Sequence, residues 1–196
     1  MKPTKIDVSA HRSAEHDIEP LLLSRWSPRA MSGAAIDDAA LSRLFEAARW
    51  APSSYNAQPW VFVYVKRDTP SWSALFDTLV EFNQSWAVNA GALIAIVAKA
   101  VDSKGEPTKT HGFDCGAAWQ NLALQGSSMG LVVHGMQGFD YPGASRVMGV
   151  PDDHEVQMMI AVGHPGDIDD LGEKLAEREV PSDRKAIREF VREGSF

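Results

Sequence analysis

The sequence predicts an α+β protein, a sheet flanked by helices. Three observations carry this. Segments with helical apolar spacing mix with short β-branched and aromatic runs, without strict strand–helix–strand alternation. One run, residues 92–98, is wholly apolar, as suits a strand covered on both faces. The composition, 44% hydrophobic and 23% charged over 196 residues, suits one folded domain with a substantial core.

Residues 1–12 read as a flexible polar arm at the edge of a single domain spanning 1–196. A short helix is expected over 14–24, on Ile18, Leu21 and Leu22, and residues 25–33, with Pro28, break it. Asp37 is the N-cap expected for the next helix, with Ile36 and Leu41 as its staple. Leu41, Leu44, Phe45 and Ala48 form one buried stripe, and the helix should stop by Ala51, since Pro52 disfavours helical geometry before it. Residues 61–66 read as a strand and 71–83 as one helix on Leu75, Leu79 and Phe82. Residues 101–110 form a turn-rich loop with Gly105 and Pro107.

The helix expected over 113–129 ends at Gly130, a natural residue after a helix terminus. Small residues surround it (Gly116, Ala117, Ala118, Ala123, Gly126), which places it at the centre of the fold or at a subunit interface. A strand at 131–134, a helix at 144–148 and a strand at 158–162 follow. A terminal helix is expected over 184–192, with Ile187, Phe190 and Val191 on its apolar side.

The net charge of −7 argues against general nucleic-acid binding, so a phosphate ligand would need a local cluster of cations. One cysteine, Cys115, allows no intrachain disulfide framework and reads as a small buried hydrophobe. No apolar run suits a signal peptide or a membrane span, so a soluble, cytoplasmic protein is expected. The dinucleotide fingerprint, the P-loop, the nucleophile elbow and histidine metal spacings are all missing.

Five polar constellations remain. In Arg25-Trp26-Ser27-Pro28-Arg29, Pro28 favours extended backbone, which would line Arg25, Ser27 and Arg29 along one wall. The arginine Cα atoms would then be roughly 13 Å apart, of the order of a mononucleotide's length. The second, residues 52–60 (PSSYNAQPW), packs hydroxyls and amides between prolines that limit its flexibility. Asn83 to Trp86 closes a helix, and residues 135–140 (GMQGFD) follow a strand with glycines that admit close approach of a flat ligand. Residues 182–185 would put Arg184 at a helix N-terminus, an anion site. Taken singly, each is equally a solvated loop, a turn or a helix cap.

In their order along the chain, these segments resemble the nitroreductase family of FMN-dependent flavoproteins. RWSPR, EAARWAPSSYNAQPW (residues 46–60), GMQGFD and a late VGHPGD (162–167) carry the resemblance, which runs from about residue 22 to 190. It implies an α+β fold with a mixed, mainly antiparallel sheet flanked by helices, in an intertwined homodimer with two FMN molecules at the subunit interface. Arg25, Ser27 and Arg29 would contact FMN from one subunit, with Arg25 and Arg184 on the phosphate and Arg29 tuning the flavin at its N1/O2 edge. Pro52, Ser53, Ser54 and Asn56 would come from the other subunit. Asn83 would hydrogen-bond the ring, the Gln137 and Gly138 backbone would face N5 with Gly135 and Met136 beside it, and Trp86 would border the substrate.

The implied activity is ping-pong transfer of two electrons from NADH or NADPH, through FMN, to a nitroaromatic, a quinone or a related acceptor. Other flavin chemistry, such as dehalogenation or heterocycle oxidation, and a non-catalytic flavin-binding or redox-sensing role remain open. The sequence departs from the best-studied branch at Arg29 and Trp86, where lysines are common, and at Gln137, where an acid is common. An extra helical lid over the flavin would be reduced in so short a chain.

Overall fold

A computed structural model describes residues 6–196. The arm expected at the start is described only from Ile6; its first five residues lie outside the described residues. Its remainder is not loose: Val8–Ala10 forms a 3₁₀ turn capped by Asp7, and Arg12 is tied to distant backbone.

The helices and strands are α1 (Pro20–Ser24), α2 (Asp38–Arg49), β1 (Trp60–Lys66), α3 (Trp72–Phe76), α4 (Glu81–Ala87), β2 (Ala92–Lys99), α5 (His111–Ser128), β3 (Val132–Met136), α6 (Tyr141–Met148), β4 (His154–Gly163) and α7 (Glu173–Ala176). The four strands make one sheet in the order β1-β2-β4-β3, and every pairing is antiparallel.

The apolar run at β2 lies second in the sheet and is covered on both faces. Residues Ala92 to Ala98 are at most 2% exposed. Ile94 and Ile96 face a cluster built with Leu41 and Leu44 of α2 and Cys115, Ala118 and Leu122 of α5. Leu93 and Ala95 face the opposite cluster, with Leu75, Trp86, Met159 and Met136. Each large apolar side chain buried in these layers contributes about 1.5–3 kcal/mol.

Local signals explain α2. The Asp37 carboxylate accepts from the Ala40 N–H at 2.6 Å, and Ile36 and Leu41 are both buried, as the staple requires. At the end of α5, Gly130 has φ 71° and the Leu131 N–H donates back to the Gly126 carbonyl, which closes the helix.

The structure corrects three elements. The helix expected over 71–83 is split into α3 and α4. Between them the chain pairs with residues 138–140: Val80 N–H donates to the Gly138 carbonyl and Asp140 N–H to the Thr78 carbonyl. That pairing buries Leu79 and Phe139, a long-range gain that outweighs one more helical turn. The short helix α1 begins only at Pro20, a residue suited to a first helical turn. The terminal helix is reduced to a 3₁₀ turn, Ile187–Glu189, and Ile187, Phe190 and Val191 are exposed rather than packed. Among the described residues, no helix is long and apolar enough to cross a membrane.

Candidate functional site

Residues 25–30 form a strap without regular secondary structure beside β3. The Pro28 carbonyl accepts from His134 Nδ1 of β3 at 2.9 Å, so that nitrogen carries the imidazole proton. Arg25 Nη1 donates to Ser27 Oγ at 3.2 Å, the same-side relation expected for alternate residues of an extended segment.

Arg29 is held differently from the expectation. Its side chain is 24% exposed and pairs with Glu179, a carboxylate 1% exposed, at 3.3 Å. Glu179 Oε1 also accepts the Arg29 N–H and, at 2.9 Å, the Ala30 N–H. The cation is therefore partly balanced by a buried anion. Arg29 Nε is buried without a partner. Glu179 gave no signal in the sequence, because it lies in a charged stretch (EKLAERE) that reads as a solvated face.

Arg184 does not stand at a helix N-terminus; the anion site expected there from a helix end is absent. Its guanidinium is exposed and donates to the Ser182 and Asp183 carbonyls at 3.1 and 2.9 Å. It nevertheless lies near Arg25. Burial first, then the Arg184 charge, presses the Arg25 guanidinium below its ordinary pKa; Arg12 is pressed down by burial, Arg184 and Arg25, with Asp183 opposing. Among the described residues, none of these three arginines forms an ion pair with a carboxylate. Arg12, read as part of a flexible arm, was missed.

In α4, the Asn83 amide donates to the Gly138 carbonyl at 2.9 Å, so these two expected ring contacts adjoin. A Cβ at Gly138 would lie 2.7 Å from Asn83 Nδ2, which reserves the position for glycine. The Phe139 N–H bonds the Gln137 carbonyl at 3.1 Å, a tight turn that leaves Gln137 exposed. Met136 is 4% exposed and turned into the core, and the space a Cβ would take at Gly135 is closed by Met158 and Trp119. Only backbone at these two positions is available to a ligand. Trp86 is corrected outright. It is 1% exposed, with its ring centroid 4.6 Å from that of His134, so it is a core side chain and not a substrate wall; its Nε1 is buried without a partner.

Pro52, Ser53, Ser54 and Asn56 sit elsewhere. The Ser54 N–H donates to Asp114 Oδ2 at 3.2 Å, in the first turn of α5, whereas Trp26, Pro28 and Ala30 share a crevice with Ser127 and Gly130 at the last turn. Thirteen residues of helix separate the two ends, roughly 20 Å at 1.5 Å per residue. This loop is also strained. Tyr55, Asn56 and Gln58 have φ of 51°, 56° and 48°, a region that costs non-glycine residues about 1–2 kcal/mol each. The Gln58 N–H donates to Ser53 Oγ at 3.0 Å, and Tyr55 is fully exposed. Strain of this kind concentrates where function holds it. Beside the loop lies a cavity of ≈ 670 Å³, with Ser54, Tyr55, Lys99, Lys109, His111 and Asp114 among its walls.

The Cys115 thiol is held in its neutral form. Burial, with Asp114 adding, pushes the Cys115 thiol up to about 12. Among the described residues, no cluster of His, Cys, Asp and Glu suits a metal.

Comparison with known proteins follows this geometry. The family model described as the nitroreductase family matches residues 22–79 and 69–164. A protein of Archaeoglobus fulgidus, named provisionally as an NADH dehydrogenase/NAD(P)H nitroreductase, is 30% identical over 161 residues, 78% of this chain and 88% of its own. An uncharacterised 15.4 kDa protein of Mycolicibacterium smegmatis is 34% identical over 122 residues, 60% of this chain and 80% of its own. The crystal structure of an oxidoreductase containing FMN superposes with TM-score 0.91 at 39% identity, covering 94% of this chain and 96% of that one.

Proposed function

The chain belongs to the nitroreductase family, and on that premise we propose that it is an FMN-dependent oxidoreductase that uses NADH or NADPH to reduce a nitroaromatic, a quinone or a related small acceptor. The carrying observation is the convergence of Arg25 and Arg184, without a carboxylate partner, at one end of a strap whose other end holds the unpartnered Arg29 Nε. A phosphomonoester suits the first place, because two neighbouring cations repel unless a dianion lies between them. A carbonyl or anionic ring edge suits the second.

The residues present fit FMN. Arg25 and Arg184 would hold its phosphate and the Ser27 hydroxyl would lie beside them. Arg29 would present a cation to the ring edge, moderated by Glu179. Asn83 Oδ1 takes no partner among the described residues and would accept from the ring, and the Gln137–Gly138 turn would lie against it. When bound, FMN would supply the two-electron chemistry that this chain's side chains lack.

A second copy of the chain completes this reading. One ring cannot touch both the strap and the 52–56 loop of a single protomer, which lie at opposite ends of α5. Two copies packed along α5 in opposite directions would bring the loop of one against the strap of the other. Gly116, with open space where its Cβ would be, and the exposed Phe113 suit such a contact.

The test is direct. Purified protein should be yellow, should bleach anaerobically with NADH or NADPH, and should recover colour on adding a quinone or nitroaromatic. A colourless protein that takes up no FMN would refute the reading. A yellow one that neither nucleotide bleaches would make it a flavin binder without turnover.

A further inference from the structure

We propose that Arg12 is a positioning residue of the anion site: by binding three main-chain carbonyls from two distant segments, it assembles the place where Arg25 and Arg184 meet a phosphomonoester. The inference rests on the reading of this site as the phosphate end of an FMN site.

The geometry is specific. Arg12 Nε donates to the Ser182 carbonyl at 2.8 Å, and Nη1 donates to the Leu23 and Arg25 carbonyls at 2.9 and 2.7 Å. Ser182 is 170 positions away in sequence, and its own carbonyl and hydroxyl also receive Arg184 Nη1. One guanidinium thus clamps the backbone that carries Arg25 to the turn that carries Arg184. A planar fork is required, because a lysine ammonium, a point donor on a flexible stem, cannot fill those three directions with the same order. A second tie, Glu15 Oε1 accepting from the Ile187 N–H at 3.0 Å, holds the same two chain ends together further out.

Besides its burial, Arg12 feels the charges of Arg184 and Arg25, with the Asp183 carboxylate opposing them, so a dianion bound between Arg25 and Arg184 would also face the Arg12 cation.

The experiment compares FMN with riboflavin, which has the same ring and no phosphate. Full-length apoprotein is titrated with each by flavin fluorescence quenching, for wild type, Arg12→Ala and Arg12→Lys. Wild type should bind FMN much more tightly than riboflavin. Arg12→Ala should weaken FMN by about tenfold or more, the worth of one charge-assisted contact that a misplaced Arg25 or Arg184 no longer makes, and leave riboflavin within about twofold. Arg12→Lys, which keeps the charge and the better chance of folding, should recover only part of the preference.

Equal weakening of both flavins, or full FMN affinity in either variant, would overturn the role of Arg12 while leaving the flavin reading intact. Wild-type protein that binds neither flavin would overturn both. Should Arg12→Ala fail to fold, Arg12→Lys decides the question: an unchanged ratio of the two affinities refutes the clamp.

Discussion

Removing the Glu179 carboxylate should destabilise the protein and loosen the strap that the flavin reading requires. In Glu179→Ala, the Arg29 and Ala30 N–H groups lose their acceptor, and a guanidinium 24% exposed loses its anion. Ala30 itself is 6% exposed, so water cannot replace the lost bond without opening the structure. Breaking a buried pair on one side costs about 3–5 kcal/mol, because the partner is left uncompensated. For a chain of this size, that corresponds to a fall of about 6–20 °C in Tm. Glu179→Gln should cost less, since its amide oxygen can still accept both backbone donors, while its NH2 would face Arg29 Nη1 donor to donor and that bond and the charge are lost. The assay is urea unfolding followed by tryptophan fluorescence at fixed protein concentration, with Arg29→Ala and the double variant closing a cycle. The Ala variants should be non-additive, with the double variant less damaged than the sum. An unchanged midpoint in Glu179→Ala, or strict additivity, would refute the latch.

Three further outcomes follow from the packing. Cys115, with its thiol pushed up to about 12, should be unreactive toward iodoacetamide at pH 8 and react only on unfolding in urea; rapid native labelling would contradict its burial. Burial holds the His134 imidazole below its ordinary pKa, with the Pro28 carbonyl opposing, Arg29 adding and Glu179 opposing in turn. The unfolded chain therefore takes up the proton first, and the stability present above about pH 6.5 should fall as the pH drops towards the folded-state pKa; urea midpoints at pH 7 and pH 5 should converge in His134→Gln relative to wild type. Gly126→Ala should cost about 1–3 kcal/mol, because the new Cβ would collide with Cγ2 of the β-branched Val133, measured by thermal melting; a neutral result would mean that α5 can move off the sheet.

Where the fold was readable, a local signal agreed with the long-range packing. Asp37 and Leu41 to Ala48 mark α2 by cap and stripe, and the sheet then covers that stripe. The β2 run was legible for a similar reason: seven apolar residues in succession have no solvent face to offer. Legibility ended where a distant segment overruled the neighbourhood. Thr78 to Val80 carried the helical period of their flanks, yet their backbone pairs with residues 138–140, a partner that no window around residue 79 contains. At residues 184–192 the apolar spacing was real but nothing in the protomer packs against it, and a short amphipathic segment without a surface to cover does not sustain an α-helix.

The site divides along the same line. Motif residues announce themselves by type and order, so Arg25, Ser27, Asn83, Gly138 and the 52–56 loop stand out in the sequence as the proposed site residues. The residues that hold the motif in shape do not. Arg12 reads as one more charge in a polar arm and Glu179 as one more in a charged stretch, because their bonds go to carbonyls and N–H groups contributed by any residue at the right place. A main-chain partner leaves no trace in residue type. Trp86 errs in the opposite direction: an aromatic residue next to a motif suggests a ligand, but here it fills the core against His134. The strain at Tyr55, Asn56 and Gln58 is the remaining clue, since glycine would relieve the backbone at each of the three. The exposed Tyr55 and the strained backbone beside it are where the proposed second copy of the chain would bear, because the length of α5 separates this loop from the strap within one protomer.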